Sequence, residues 1–218
     1  MESQETQRDE RQDIKFRVVS HFAVQLRTEL ALPKLLLMDQ FHKRLLWLYL
    51  FNIHVHDTST PVSDMFHLME GVAKKGANTV CSFLYHVIKM NFDDEKHERI
   101  ILFSDACSGQ NRNYMVFHFL CMLCRYLNVQ IVHLFPVREH SYCQCDRNSR
   151  NYSQRLKRME VVETEQEYVD MIQSSRNPLF IMVDGMRDGI LFDFETTMKA
   201  KILQISKAVR VTNGSVSF

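Results

Sequence analysis

The sequence predicts a mixed α/β fold, a five-stranded sheet with helices on both faces, and three observations carry that prediction. Three β-rich runs come first, after which the apolar period changes and helices alternate with strands. Hydrophobic residues make up 45% of the 218 and charged residues 24%, which supplies a buried core and argues against a disordered chain. Gly and Pro number only 6 and 4 while Phe reaches 15, which favours regular elements over long loops.

Residues 1–14 are polar and read as a solvated tail. Residues 15–218 read as one domain with a C-terminal extension. From Arg17 the run RVVSHFAVQL suits a strand, and LALPKLLLMDQ with Pro33 connects it onward. LLWLYLFNIHV is the strongest strand run of the chain. A polar turn, HDTSTPVSD, leads into MFHLMEGVA, and the three runs form an antiparallel meander. Asn78 or Thr79 then caps a helix whose Val80, Phe83, Leu84, Val87 and Ile88 recur at helical spacing. RIILFSD is a short apolar run ending in Asp105, as in a buried strand. The helix from about Asn113 through NYMVFHFLCMLCRYL is apolar nearly all round and is expected to be largely buried. VQIVHLFPV is a fifth strand. DRNSRNYSQRLKRM is a basic helix, and TEQEYVDMIQSS is a further helix with Thr164 as its cap. LFIMVDG, LFDF and VRVTNGSVSF are weaker strand or edge segments. Three strands, helix, strand, helix, strand, helix is the element order of the ribonuclease-H-like fold.

Charge narrows the function classes. With 27 Lys and Arg against 26 Asp and Glu the net charge is +1, so a nucleic-acid partner has to come from a local patch. No run of 18 apolar residues occurs, so no spanning helix is expected. The start of the chain lacks the apolar core of a signal peptide, and the expected compartment is intracellular, nuclear or cytoplasmic. Cys81, Cys107, Cys121, Cys124, Cys143 and Cys145 are accordingly read as thiols. No small-molecule cofactor is expected, and nothing in the sequence announces an oligomeric state.

The segment SDACSGQNRN, residues 104–113, is the most informative. Asp105 ends a buried strand, where open α/β sheets place their ligands. The polar loop after it offers side-chain and backbone donors to an anion at a helix start, or forms an ordinary capped loop. Arg147, Asn151, Arg155 and Arg158 recur at four, four and three and share a helix face, suited to backbone phosphates or to plain solvation. Cys121 and Cys124 form CxxC and Cys143 and Cys145 form CxC, a zinc set by count. Yet the CxxC lies in an apolar helix, where cysteines behave as small hydrophobes. His54 and His56 share a strand face near Asp57, as ligands or as a solvated pair. Trp47 lies in a core-like run, so no aromatic stacking platform is evident.

SDACSGQNRN resembles the strand–SDxCxGQNRN–helix motif of a transposase-derived domain of unknown function found in many copies in animal genomes. LPKLLLMDQFHKRLLWLYLFNIH resembles that family's LPxL...FYxRQLWLYNFGIH run, and KKGANTVCSFLYHVI its KGxNEVxSxLxxxI helix. HLFPVREHSYCQCDR is similar to HxFxVRGHSFLPxDR, and EYVDMI and NPLFIMV follow the family layout. The resemblance spans roughly residues 17–195 and implies a ribonuclease-H-like core of the DDE transposase or integrase type. In that chemistry carboxylates hold two Mg²⁺ or Mn²⁺ ions for phosphodiester hydrolysis or strand transfer. It implies Asp105 and Asp146 as catalytic metal ligands. Gln110, Asn111, Arg112, Asn113, His140, Arg147, Arg155 and Arg158 are then the nucleic-acid contacts, with His140 either on phosphate or holding its loop.

The departures from the pattern cluster at this site. Phe22-Ala23-Val24-Gln25 replaces the family's F-D-L-Q, so the first acid is Ala23, which binds no cation. Glu139 replaces a glycine, Ser149-Arg150 replaces Phe-Gly, and Ser153 stands where Glu is frequent. The expectation is a degenerate core with residual affinity for DNA and impaired or absent catalysis. The alternatives are an active Mg²⁺-dependent nuclease or strand transferase, with Asp57 or Asp39 supplying the third acid, and a domesticated protein-interaction domain. The family also carries an upstream cysteine-rich region, so target-site recognition is expected to be lost or encoded elsewhere.

Overall fold

The computed structural model describes residues 18–35, 44–56, 62–93, 97–135 and 144–200, with backbone alone for 18–28 and 98. Six strands form one mixed sheet: β1 Val18–Leu32, β2 Leu46–Val55, β3 Val62–Met69, β4 His97–Ser104, β5 Gln130–Leu134 and β6 Ile181–Asp184. The spatial order is β5-β4-β1-β2-β3-β6. The meander β1-β2-β3 is antiparallel, while β4 and β5 lie parallel to β1 on one side and β6 lies parallel to β3 on the other. The sheet thus has one strand more than the five expected, because LFIMVDG supplies an edge strand.

Between and after the strands lie α1 Ala77–Asn91, α2 Tyr114–Leu127, α3 Gln144–Leu156 and α4 Glu165–Gln173, with a further helical segment over 194–200 among the described residues. Strand pleating sends alternate residues to opposite faces, and the sheet buries both. Phe51, Ile53, Val55 and Phe66 pack under α1 and α2 with Phe83, Val87, Phe119 and Leu123. Leu48, Leu50 and Met65 pack under α3 and α4 with Tyr152, Tyr168 and Ile172. At roughly 25 cal/mol per Å² of apolar surface, a fully buried Leu or Phe contributes about 1.5–3 kcal/mol, so these two clusters set the architecture. Among the described residues no helix is long and apolar enough to cross a membrane.

Several elements depart from expectation for physical reasons. β3 starts at Val62, inside the stretch read as a turn. The N-cap of α1 is Gly76 rather than Asn78 or Thr79. Thr79 donates its hydroxyl to the Lys74 carbonyl, and Asn78 donates to the Phe192 carbonyl, so neither side chain is free to cap. α2 is buried on one face only, through Val116, Phe119, Leu120 and Leu123, with Tyr114 84% exposed and Tyr126 75% exposed. LFDF is no strand: the Phe192 backbone hydrogen-bonds to side chains of α1, and the chain turns helical over 194–200. The 1–14 tail and VRVTNGSVSF lie outside the described residues.

β4 stops at Ser104, which pairs with Val24, while β1 runs on to Leu32 with β2 alone beside it. The sheet therefore steps down at its centre, and the segment after Asp105 leaves at that step.

Candidate functional site

The loop after β4 is organised by its own amides. Asp105 is exposed, and its Oδ1 accepts from Asn111 Nδ2 at 2.6 Å, with Asn111 buried. The N–H groups of Gln110, Asn111 and Arg112 all donate to the Cys107 carbonyl at 2.9–3.2 Å. Asn113 caps α2, its Oδ1 accepting from Val116 N at 3.0 Å and its Nδ2 donating to the Ser108 and Gln110 carbonyls. This is the capped loop of the sequence reading: the amides of 110–112 turn inward, so none of the three is offered to an anion. The exposed Arg112 guanidinium lies over the Phe135 ring, 5.8 Å from its centroid.

Register relates this loop to α3. Val24 pairs with Ser104 and Gln25 with Asn52, so Asp105 departs beside the row that holds Gln25 and Asn52. Cys145, in the first turn of α3, donates its thiol to Asn52, 3.5 Å from Oδ1. Asp146 follows it, half-buried. The anchor of α3 and the departure point of Asp105 thus share a row two strand spacings apart, about 10 Å. Position 23 sits two rows back, paired with His54 on β2 and Phe103 on β4.

Under α3 lies a polar network that the sequence reading missed. Ser63 Oγ accepts from Asn148 Nδ2 at 3.1 Å and from the Arg176 guanidinium. With two donors pointing in, its own hydroxyl donates to His54 Nδ1, 2.7 Å away, which leaves the proton of the neutral imidazole on Nε2. Burial, then His56, then Arg176 hold His54 down to a pKa of about 4. Asn148 Oδ1 accepts from Gln144 Nε2 at 3.2 Å and lies 3.5 Å from Arg176. The Arg176–Ser63 bond joins residues 113 apart in the chain, and no motif or spacing signals it. Asn148 alone was foreshadowed, since it lies three and four residues from Cys145 and Tyr152 on the inner side of an otherwise basic helix. Asn52 Nδ2 is buried without a hydrogen-bond partner among the described residues.

The remaining predicted residues fall as follows. Arg147, Asn151 and Arg155 are exposed on α3, while the helix ends at Leu156 and leaves the exposed Arg158 in the turn that follows, off the helix face its spacing implied; Arg155 also donates to Ser174 Oγ at 2.9 Å. Gln110 is half-buried. His140, Glu139, Cys143, Asp39 and Asp57 lie outside the described residues. Cys145 is buried on Asn52 and Cys121 is exposed on α2, and among the described residues no three His, Cys, Asp or Glu side chains gather to hold a metal. His54 and His56 stack edge to face at 4.3 Å, with His54 Nδ1 occupied by Ser63.

The fold and this loop define the class: a mixed α/β protein whose strand β4, second from one edge, ends in Asp105 and an amide-braced loop at a step in the sheet. The model of a domain of unknown function (DUF7869) matches residues 40–213, and the chain belongs to that family. The match leaves β1, and with it position 23, outside the matched residues, whereas the sequence resemblance was traced from about residue 17. No curated protein matches the chain.

Proposed function

We propose that this domain is a degenerate ribonuclease-H-like transposase core that binds nucleic acid without cleaving it. Support for the ancestry comes from the strand arrangement: an antiparallel β1-β2-β3 meander with β4 and β5 parallel to β1 on its far side, and Asp105 at the end of β4. The observation that carries the functional reading is the register of position 23. It stands beside Phe103, two residues before Asp105, where a metal centre shared between β1 and β4 needs a carboxylate, and the chain supplies Ala23.

The donor set does not fit a two-cation site. Mg²⁺ demands hard oxygen ligands in near-octahedral geometry. Asp105 has one oxygen engaged by Asn111, Ala23 brings none, and among the described residues no three His, Cys, Asp or Glu side chains gather to hold a cation. Arg147 and Arg155 on α3, with Arg158 in the turn after it, supply instead what backbone-phosphate binding requires: exposed cations that contact without reading sequence.

The test measures anisotropy of labelled duplex DNA from low to moderate salt, alongside a nuclease assay in Mg²⁺ or Mn²⁺ with the parent and Asp105→Asn. We expect salt-sensitive binding that R147A/R155A/R158A weakens, and no turnover above background in either protein. Metal-dependent cleavage abolished by Asp105→Asn would overturn the reading in favour of an active enzyme. Absence of any DNA binding would remove the nucleic-acid role.

A further inference from the structure

Beyond the basic face of α3, the structure carries a second surface on the opposite side of the sheet. A groove of about 740 Å³ opens between α2, β5 and the loop after Asp105. Arg112, Tyr114, Phe117, Cys121, His133 and Phe135 line it, and among the described residues no carboxylate does. Tyr114 is 84% exposed and Phe117 is 60% exposed, one helical turn apart, about 4.5 Å along the axis. Water-facing aromatic side chains on a helix whose other face is fully committed to the core are costly unless something covers them. His133 is held neutral by burial and paired with Ser104 Oγ at 2.8 Å, so Arg112 is the charged group in the lining. Arg112 forms no ion pair among the described residues, and its guanidinium already lies over one ring.

We propose that this groove takes unpaired bases of single-stranded nucleic acid, with Tyr114 and Phe117 as the stacking platform and Arg112 on the adjoining phosphate. This rests on the nucleic-acid reading above and names its substrate class. Aromatic faces accept any base, and Arg112, with no carboxylate among the described lining residues, matches a strand that carries one negative charge per nucleotide. Ser108 and Asn113 belong both to the groove wall and to the loop that begins at Asp105. A strand passing that loop would therefore deliver its neighbouring bases to the rings. The loop's amides are spent on internal bonds, so the interaction is stacking and charge rather than base-edge readout.

The test compares an unstructured single-stranded oligonucleotide carrying 2-aminopurine with a duplex of the same sequence. We expect the single strand to bind tighter and its fluorescence to be quenched by stacking. Y114A/F117A should weaken single-strand binding at least about tenfold, abolish the quenching and leave duplex affinity unchanged. Both side chains are exposed, and an unchanged circular dichroism spectrum and melting temperature would establish that the variant is folded. R147A/R155A/R158A should instead weaken the duplex. Duplex binding that persists while Y114A/F117A leaves single-strand affinity and quenching intact would overturn the groove assignment and spare the basic face. Loss of all binding in the parent would sink both. Saturable capture of an acidic peptide at Tyr114 and Phe117, with no quenching of the oligonucleotide, would reassign the groove to a protein.

Discussion

Asp64 shows how one buried group sets a pH dependence. It sits in β3 between Ile53 and Ile181, almost fully buried, and desolvation lifts its carboxyl to a pKa of about 6. Between the ordinary value of 3.8 and about 6 the folded chain holds a proton that the unfolded chain has released. This contribution is therefore favourable in acid and lost as pH rises through 6, with an upper limit on the order of 3 kcal/mol. Asp64→Asn keeps the shape and removes the ionisation. It should raise the melting temperature by several degrees at pH 7.5 and by about half as much at pH 5, read in thermal melts at both. An equal gain at both values would rule ionisation out as the cause. His54 and His133 act in the other sense. Burial lowers both to about 4, so their stabilising contribution is complete above 6.5 and is lost as pH falls towards 4. Two such histidines outweigh one carboxyl, and the folded state is expected to weaken on acidification across that interval.

Among the elements, the start of α2 couples stability to the candidate site. Asn113 caps the helix and also ties the Ser108 and Gln110 carbonyls, so Asn113→Ala removes three hydrogen bonds at once. A cap is worth about 1 kcal/mol and the loop bonds add to it, giving an expected loss of about 1–2 kcal/mol in urea unfolding. Faster proteolysis at 106–112 should accompany it, because the same side chain braces the loop. Elements announced by their own residues were legible in the sequence. Asn113 begins α2, Thr164 accepts from Glu167 N to begin α4, and β2 follows its aromatic run. What failed was what local pattern cannot encode. Apolar composition made α2 look buried all round, but composition does not say which face the fold covers, and Tyr114, Phe117 and Tyr126 are left outside. β6 is four residues long and gains its place only by pairing with β3, across more than a hundred residues of chain. Arg176, Ser63 and Asn148 meet only once α3 has docked on the sheet. The site was half visible: the Asp105 loop announced itself by motif, while of the polar network beneath α3 only Asn148 left a trace in the linear spacing.

For the whole molecule the decisive feature is the step at the centre of the sheet. β4 ends beside Val24, α3 is anchored on Asn52 one row further, and position 23 lies one row back between His54 and Phe103. β1, β2 and β4 are thus held in adjoining rows by backbone pairing and α3 is tied to them through Cys145 on Asn52, and that scaffold does not depend on which side chain position 23 carries. If the scaffold is that of a former metal enzyme, restoring one carboxylate should restore cation affinity before it restores any reaction. Ala23→Asp is therefore expected to give a melting temperature that rises with Mn²⁺, where the parent shows no response. For a weak site half-saturated near 1 mM, about 10 mM metal stabilises by roughly 1.4 kcal/mol, or about 3 °C for a chain of this size. Asp105→Asn added to Ala23→Asp should abolish the response, because a cation at this step needs both carboxylates. Asp146→Asn should reduce it if α3 contributes a ligand. A folded Ala23→Asp protein indifferent to Mn²⁺ would mean that this step in the sheet was never built for metal, and the ancestry would then rest on strand order alone.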